Sequence, residues 1–225
     1  MTPQRFQRLR QVLDRRQPDL TVLTERVSKP HNLAAIIRTC DAVGILTAHA
    51  VVGRGGYRTR RGISLGSERW VTVKRHNHID TPIRDLRDSG FQILAAHFSS
   101  EARDFRDMDY SRPTAVLLGA EKTGVGDATA ALADAHITIP MMGMVASFNV
   151  SVAAAIILAE AQRQRQAAGL YDRPRLDPDL HRAILFRWAH PAIARYCDQR
   201  SLPYPALSDS GDLLDVTAWR TGIGP

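Results

Sequence analysis

The sequence predicts an α/β fold, a mostly parallel sheet flanked by helices, with an N-terminal helix and a C-terminal helical extension. Three observations carry this. Short apolar runs recur, LTVLTERV at 20–27, AHAVVG at 48–53, FQILAAHF at 91–98 and TAVLLGA at 114–120, each the length of a strand. Segments with helical spacing alternate with them, as strand–helix–strand units of a parallel sheet require. After Gly169 the pattern changes, and Pro174, Pro178, Pro191, Pro203 and Pro205 punctuate the chain. At 225 residues and 44% apolar content, one well-filled core is within reach.

Phe6, Leu9 and Leu13 recur at helical spacing, so residues 3–16 form an amphipathic helix that Pro18 and Asp19 stop. LTVLTERV is the first strand and Lys29-Pro30-His31 a loop. Asn32 is the expected N-cap of a helix carrying Leu33, Ile36, Ile37, Cys40 and Val43 on one face, closed by Gly44. AHAVVG is the next strand, followed by a long basic loop; VTVKR at 71–75 is a short strand and 80–89 a short helix ended by Gly90. FQILAAHF and TAVLLGA are buried strands. A glycine-rich loop and an alanine-rich helix at 127–134 lead to the strand HITIP at 136–140. The loop MMGMVASF opens onto a helix over 149–166, and one further helix, about 178–198, precedes a loosely held tail. The expected division is a basic N-terminal segment, 1–18, a central domain, 19–168, and an extension, 169–225.

Charge narrows the function. The chain carries 30 basic against 23 acidic residues, and 27 of the bases are arginine. A guanidinium grips phosphate with two parallel hydrogen bonds, so an arginine-rich basic chain points to nucleic acid. Codon bias accounts for arginine over lysine, but less well for the net charge of +7 or for its clustering. Arg5, Arg8, Arg10, Arg15 and Arg16 face Asp14 alone; Arg54, Arg58, Arg60, Arg61, Arg69, Lys74 and Arg75 face Glu68 alone.

Other classes are excluded. The longest apolar run, around Ala153 to Ala159, falls well short of the roughly 18 residues of a membrane span. MTPQRFQRLRQVLDRR lacks the apolar centre of a secretion signal, so a cytoplasmic protein is expected. Cys40 and Cys197 alone make neither a disulfide framework nor a four-cysteine zinc site. No G-x-G-x-x-G follows a strand, and in GAEKTGVG (119–126) the lysine precedes the second glycine, which rejects a Walker loop. His76-Asn77-His78 has no carboxylate or cysteine at ligand spacing, so no metal is expected.

Three polar segments remain at strand-to-helix turns, where open α/β sheets bind ligands. In KPHNLAAIIRTCDAVG, Asn32 opens a helix and Arg38 stands among apolar neighbours, on a different face from Asn32. A simple N-cap and a surface arginine are the plain readings of this pair. In LLGAEKTGVG, Gly119, Gly124 and Gly126 let backbone approach a ligand and Glu121 follows the strand end; an ordinary turn is the alternative. In IPMMGMVASFNVSVAAA, a methionine-rich loop precedes Ser147-Phe148-Asn149 at a helix start. Methionine and phenylalanine beside free backbone groups suit a flat heteroaromatic ligand such as adenine, against an N-cap beside core methionines.

Together these segments resemble the three signature motifs of the TrmH family of SPOUT-class tRNA (guanosine-2'-O-)-methyltransferases. The matching stretches are RRQPDLTVLTERVSKPHNLAAIIRTCDAVG, RPTAVLLGAEKTGV and IPMMGMVASFNVSVAAAIILAEAQRQRQ, and the resemblance covers about residues 1–172. It implies a deeply knotted α/β domain, against the general rule for chain topology, and a homodimer. It implies S-adenosylmethionine as cofactor, no metal, and methylation of the 2'-hydroxyl of guanosine 18 in the tRNA D-loop. Arg38, Asn32, Glu121, Ser147 and Asn149 then make up the catalytic set. Cofactor contacts fall at Ala96, Gly119, Ile139, Met144, Ser147 and Phe148. The family usually has Thr in place of Ala96, and Gln-Ser-Leu where this chain has Ala146-Ser147-Phe148. Arg8, Arg15, Arg58, Arg60 and Arg61 are the expected RNA contacts.

The family mechanism makes the arginine a base after its proton is relayed to an RNA phosphate. Because a guanidinium keeps its proton in proteins, the alternative is that Arg38 donates to the developing alkoxide. An rRNA ribose methyltransferase shares all three motifs, but the basic N-terminal helix and the extension favour tRNA. An inactive RNA-binding relative is disfavoured by the intact Asn32, Arg38, Glu121, Ser147 and Asn149.

Overall fold

The computed structural model describes residues 1–52 and 69–214. The chain divides into two compact units, Gln17–Asp172 and Met1–Arg16 with Arg173–Pro225. The N-terminal helix and the extension, separate segments in the sequence, thus belong to one unit.

Among its described residues, Gln17–Asp172 holds seven strands: β1 Leu20–Glu25, β2 Thr47–Val51, β3 Thr72–His76, β4 Gln92–Ala96, β5 Arg103–Asp104, β6 Thr114–Leu118 and β7 Ala135–Thr138. They form one sheet in the order β3-β2-β1-β6-β4-β7-β5, and each described pairing is parallel. β1 and β6, at the centre, are buried along their whole length, as strands covered on both faces must be. Successive side chains leave a strand on opposite faces. Val22, Leu94, Val116 and Ile137 therefore enter one apolar cluster with Ile36, Ile37, Cys40, Ala154 and Ile157. Leu23, Ile93, Ala115 and Leu117 enter a second with Ile83, Leu86 and Ala130. Helices α2 (Pro30–Ala42) and α5 (Val150–Ala167) cover the first face; α3 (Asp80–Asp88) and α4 (Asp127–Ala130) cover the other.

The C-terminal end of α5 is pinned by Arg165, whose side chain is fully buried. It donates to the carbonyls of Tyr110 (2.9 Å), Asp19 and Arg112 (both 3.0 Å), to Gln17 Oε1 (2.9 Å) and to Asp19 Oδ1 (2.7 Å). All five N–H groups are thereby used, which is the condition for burying such a charge.

In the other unit, α1 (Pro3–Asp14) buries Phe6, Leu9 and Leu13 and packs against α6 (Pro178–Ala189). The single helix expected over 178–198 is two, because α7 (Pro191–Arg200) starts at a proline that has no N–H to continue α6. The described part of the tail is not loose: Ser208 N donates to the Asp212 carbonyl (2.8 Å) and His190 bonds the Gly211 carbonyl (2.8 Å). Gly211 has φ +85°, and a Cβ there would come within 2.4 Å of the Phe6 ring. Arg16 is not part of a basic surface; it is fully buried, its guanidinium 5.3 Å from the Trp188 ring centre. Arg8 and Arg15 are exposed, whereas Arg58, Arg60 and Arg61 lie outside the described residues. Among the described residues no helix is long and apolar enough to cross a membrane.

Candidate active site

The C-terminal ends of β4, β6 and β7 and the start of α5 enclose a cavity of about 350 Å³. Its apolar wall includes Ala96, Leu118, Ile137, Ile139, Phe148 and Val150; its polar groups include Glu121, Lys122, Thr123 and Ser147. That volume lies at the small end of ligand pockets, which run from roughly 300 to 1,000 Å³, and the mixture of apolar wall and few polar groups is typical of them. Of the expected cofactor residues, Ala96, Gly119, Ile139, Ser147 and Phe148 line it. Met144 does not; its side chain is fully exposed.

One rim is a tight hairpin. Ala120 and Gly124 exchange both backbone hydrogen bonds, at 3.0 and 2.8 Å, with Gly124 in the left-handed region (φ +67°). A Cβ on Gly119 would lie 1.9 Å from the Gly124 carbonyl carbon. The chain's own close approach, rather than a ligand's, therefore demands the glycine there.

The first-motif residues meet this rim through Glu121. Its Oε1 accepts from Lys29 N (3.0 Å) and Asn32 Nδ2 (2.9 Å), and its Oε2 from Ser28 N (3.2 Å) and Ser28 Oγ (3.0 Å). Asn32 Oδ1 accepts in turn from Asn149 Nδ2 (3.3 Å), and Asn149 Oδ1 takes Ser151 N (2.9 Å) and Ser151 Oγ (2.7 Å). Burial alone would raise the Glu121 carboxyl, but its own N–H and the donors from Lys29, Asn32 and Ser28 outweigh that and hold it at about 2. Glu121 is an anion here at neutral pH, and it fixes which way the Asn32 amide faces.

This corrects the expected cap. Helix α2 starts at Pro30, with Lys29 at the N-cap position and no side-chain cap. Proline suits a first helical turn, leaving Asn32 inside that turn, where its buried amide bridges Glu121 and Asn149. Asn149 does cap α5. Arg38 is exposed on α2, outside the cavity lining. The structure thus joins Asn32, Glu121 and Asn149 by hydrogen bonds and sets Ser147 at the cavity, with Arg38 apart from both.

Glu25, at the end of β1, escaped the sequence reading although an acid closing the buried run LTVLTE was its signal. The hydrogen bonds of Ser28 and Lys29 left less trace, since each uses a backbone N–H. His76, weighed as a metal ligand, instead stacks on His49 with ring nitrogens 3.0 Å apart. Burial first, and then His76 and Lys74, push His49 down to about 4. Among the described residues no group of three His, Cys, Asp or Glu could hold a metal ion.

The parallel sheet, with a ligand cavity at its strand ends closed by the second- and third-motif loops, is the arrangement of the SPOUT-class methyltransferases that it superposes on. The chain belongs to the SpoU rRNA Methylase family, which matches residues 19–159; SpoU, rRNA methylase, C-terminal, matches 163–215. It is similar to the tRNA (guanosine(18)-2'-O)-methyltransferase of Thermus thermophilus, 58% identical over 83% of this chain and 96% of that one. The enzyme of the same name from Escherichia coli K12 is 48% identical over 98% of each chain. A solved A. aeolicus TrmH/SpoU tRNA modifying enzyme superposes with a TM-score of 0.79 at 42% identity, over 84% of this chain and 97% of that one. The SpoU methyltransferase AviRb from Streptomyces viridochromogenes, solved with the cofactor AdoMet, gives a TM-score of 0.59 at 28% identity, over 68% and 62%.

Proposed function

We propose that this chain methylates the 2'-hydroxyl of guanosine 18 in the tRNA D-loop, using S-adenosylmethionine. The hydrogen-bonded chain Glu121–Asn32–Asn149 beside the cavity carries the reading, because it joins residues of all three motifs in one place. Relatives named for this reaction, similar over most of this chain, support the substrate.

The cavity suits the cofactor: an apolar wall for a purine ring, and Glu121, Lys122, Thr123 and Ser147 for its polar parts. Ala96, Gly119, Ile139 and Phe148 would hold it there. When bound, S-adenosylmethionine supplies an electrophilic methyl group on a sulfonium. What the protein adds is orientation and a nucleophilic hydroxyl. Arg38, exposed on α2, donates hydrogen bonds to the alkoxide as it develops, and a phosphate or water takes the proton. Glu121 and Asn149 hold Asn32, and Ser147 faces the cavity from the third-motif loop.

The rest of the reading is a knotted, metal-independent homodimer working in the cytoplasm. Met142, Met144, Val145 and Val152, exposed apolar side chains close together in the sequence, support pairing with a second copy. The test is methyl transfer to unmodified tRNA with the modified nucleotide mapped, in the presence and absence of a chelator. Transfer to ribosomal RNA instead, or none at all, would overturn the assignment. Sedimentation of the full chain tests the dimer.

A further inference from the structure

Glu25 ends β1, is 8% exposed, and has no role in the chemistry above. Its Oε2 accepts from Gly126 N (3.1 Å) and its Oε1 from Thr129 Oγ1 (2.8 Å). Gly126 is the N-cap of α4 and directly follows the cavity residues Gly124 and Val125. A few residues along, Ser28 and Lys29 donate to Glu121 at the other end of the same loop. Two carboxylates therefore cross-tie the same pair of segments in opposite senses. Glu25 reaches from the first segment into the second, and Glu121 reaches back. Arg26 makes the turn between them, in the left-handed region at φ +53°, with its N–H on the Val51 carbonyl (3.3 Å).

We propose that Glu25 is a positioning residue for the cofactor site: through Gly126 and Thr129 it holds loop 119–126 in the shape that receives S-adenosylmethionine. This rests on the reading of the cavity given above. The Glu121 tie fixes where the loop begins and the Glu25 tie where it ends, so the hairpin between them is held at both ends. Glutamine is a poor substitute. If its oxygen takes the Thr129 hydroxyl, its amide N–H₂ faces the Gly126 N–H, donor against donor.

The full-length protein, Glu25→Gln and Thr129→Val are compared for S-adenosylmethionine affinity by calorimetry. Steady-state KM for the cofactor, kcat on unmodified tRNA, and tRNA affinity are measured alongside. Glu25→Gln is expected to raise Kd and KM for the cofactor about tenfold, leaving kcat within about threefold and tRNA affinity unchanged, as lost orientation of one loop predicts. Thr129→Val, which removes one donor and preserves side-chain shape, should shift both constants the same way by less. If Glu25→Gln does not fold, Thr129→Val carries the test, and an unaltered cofactor KM in it overturns the proposal. So does a fall in kcat or tRNA affinity with cofactor KM unmoved in either variant. Wild-type protein that binds no S-adenosylmethionine would sink the cavity reading, and this one with it. Wild-type binding with an unaffected Glu25→Gln sinks this one alone.

Discussion

Asn32 and Glu121 lie 89 positions apart, and their side chains meet at 2.9 Å. The bond turns a helix residue and a loop residue into one unit whose orientation is set by an anion. Its pH dependence has a definite sign. A carboxyl lowered from 4.5 to about 2 stabilises the fold above its unfolded value and loses that contribution as pH falls towards 2. Glu121→Gln should cost about 1–3 kcal/mol at pH 7, from donors left unmatched. In urea unfolding, the gap between wild type and Glu121→Gln should stay constant above pH 5 and narrow below pH 4.5. A gap that ignores pH would refute the anionic role.

Arg38→Ala should lower methyl transfer by on the order of 100-fold or more, as for loss of one donor to a developing oxyanion. Cofactor affinity should be unchanged, because Arg38 lies outside the cavity lining. Arg38→Lys should rescue little, since a point charge does not reproduce a planar fork. Single-turnover rates with saturating cofactor decide it, and near-wild-type activity in the alanine variant ends the assignment.

Asn149→Ala removes the acceptor for Ser151 N and the donor to Asn32 together. The cap alone is worth about 1 kcal/mol. Weaker S-adenosylmethionine binding should accompany the stability loss, while Ser147→Ala should impair activity at unchanged stability. Calorimetry and chemical denaturation on the same samples separate the two effects.

Tyr110 is fully buried and its hydroxyl has no hydrogen-bond partner among the described residues. Burial, and after it the charges of Glu160 and Asp104, keep that hydroxyl protonated. Tyr110→Phe should therefore stabilise the protein by about 1 kcal/mol, because an unsatisfied buried hydroxyl is removed with little change of shape. A lower melting temperature for the variant would count against this account.

Replacing Arg8 and Arg15 together should weaken tRNA binding and flatten its dependence on salt, because fewer counterions are released. Deleting residues 1–16 is a poorer test, since it also strips Phe6, Leu9 and Leu13 from the core they share with α6. Equal salt slopes for the double variant and wild type would remove the RNA-binding role from this helix.

Much of the architecture was legible because strand and helix periodicities differ, and the motif loops fall where a parallel sheet binds ligands. What stayed hidden depends on partners distant in the chain. Asn32 looks like a cap until Pro30 is seen to start the helix and Glu121 to claim the amide. Arg16 and Arg165 count as basic surface in any composition, yet both are buried, one against Trp188 and one among five acceptors. Gly119 reads as room for a ligand, and the crowding by Gly124 appears only once the hairpin is closed. β5, two residues long, is too short to have a period.

The sheet order also bears on how the chain is made. β1 pairs with β2, which follows it closely, and with β6, which does not emerge from a ribosome until residues 114–118 have been added. Through that interval β1 has one bare edge, the condition that invites mispairing. The Asn32–Asn149 bond closes later still, and Gln17 waits for Arg165 across 148 positions. Such distant partners make a fold slow to complete, because loop entropy is lost before the contacts that repay it have formed. The site is therefore among the last parts of Gln17–Asp172 to form, and a chain cut short before Asn149 would carry the first two motifs without the asparagine that joins them to the third.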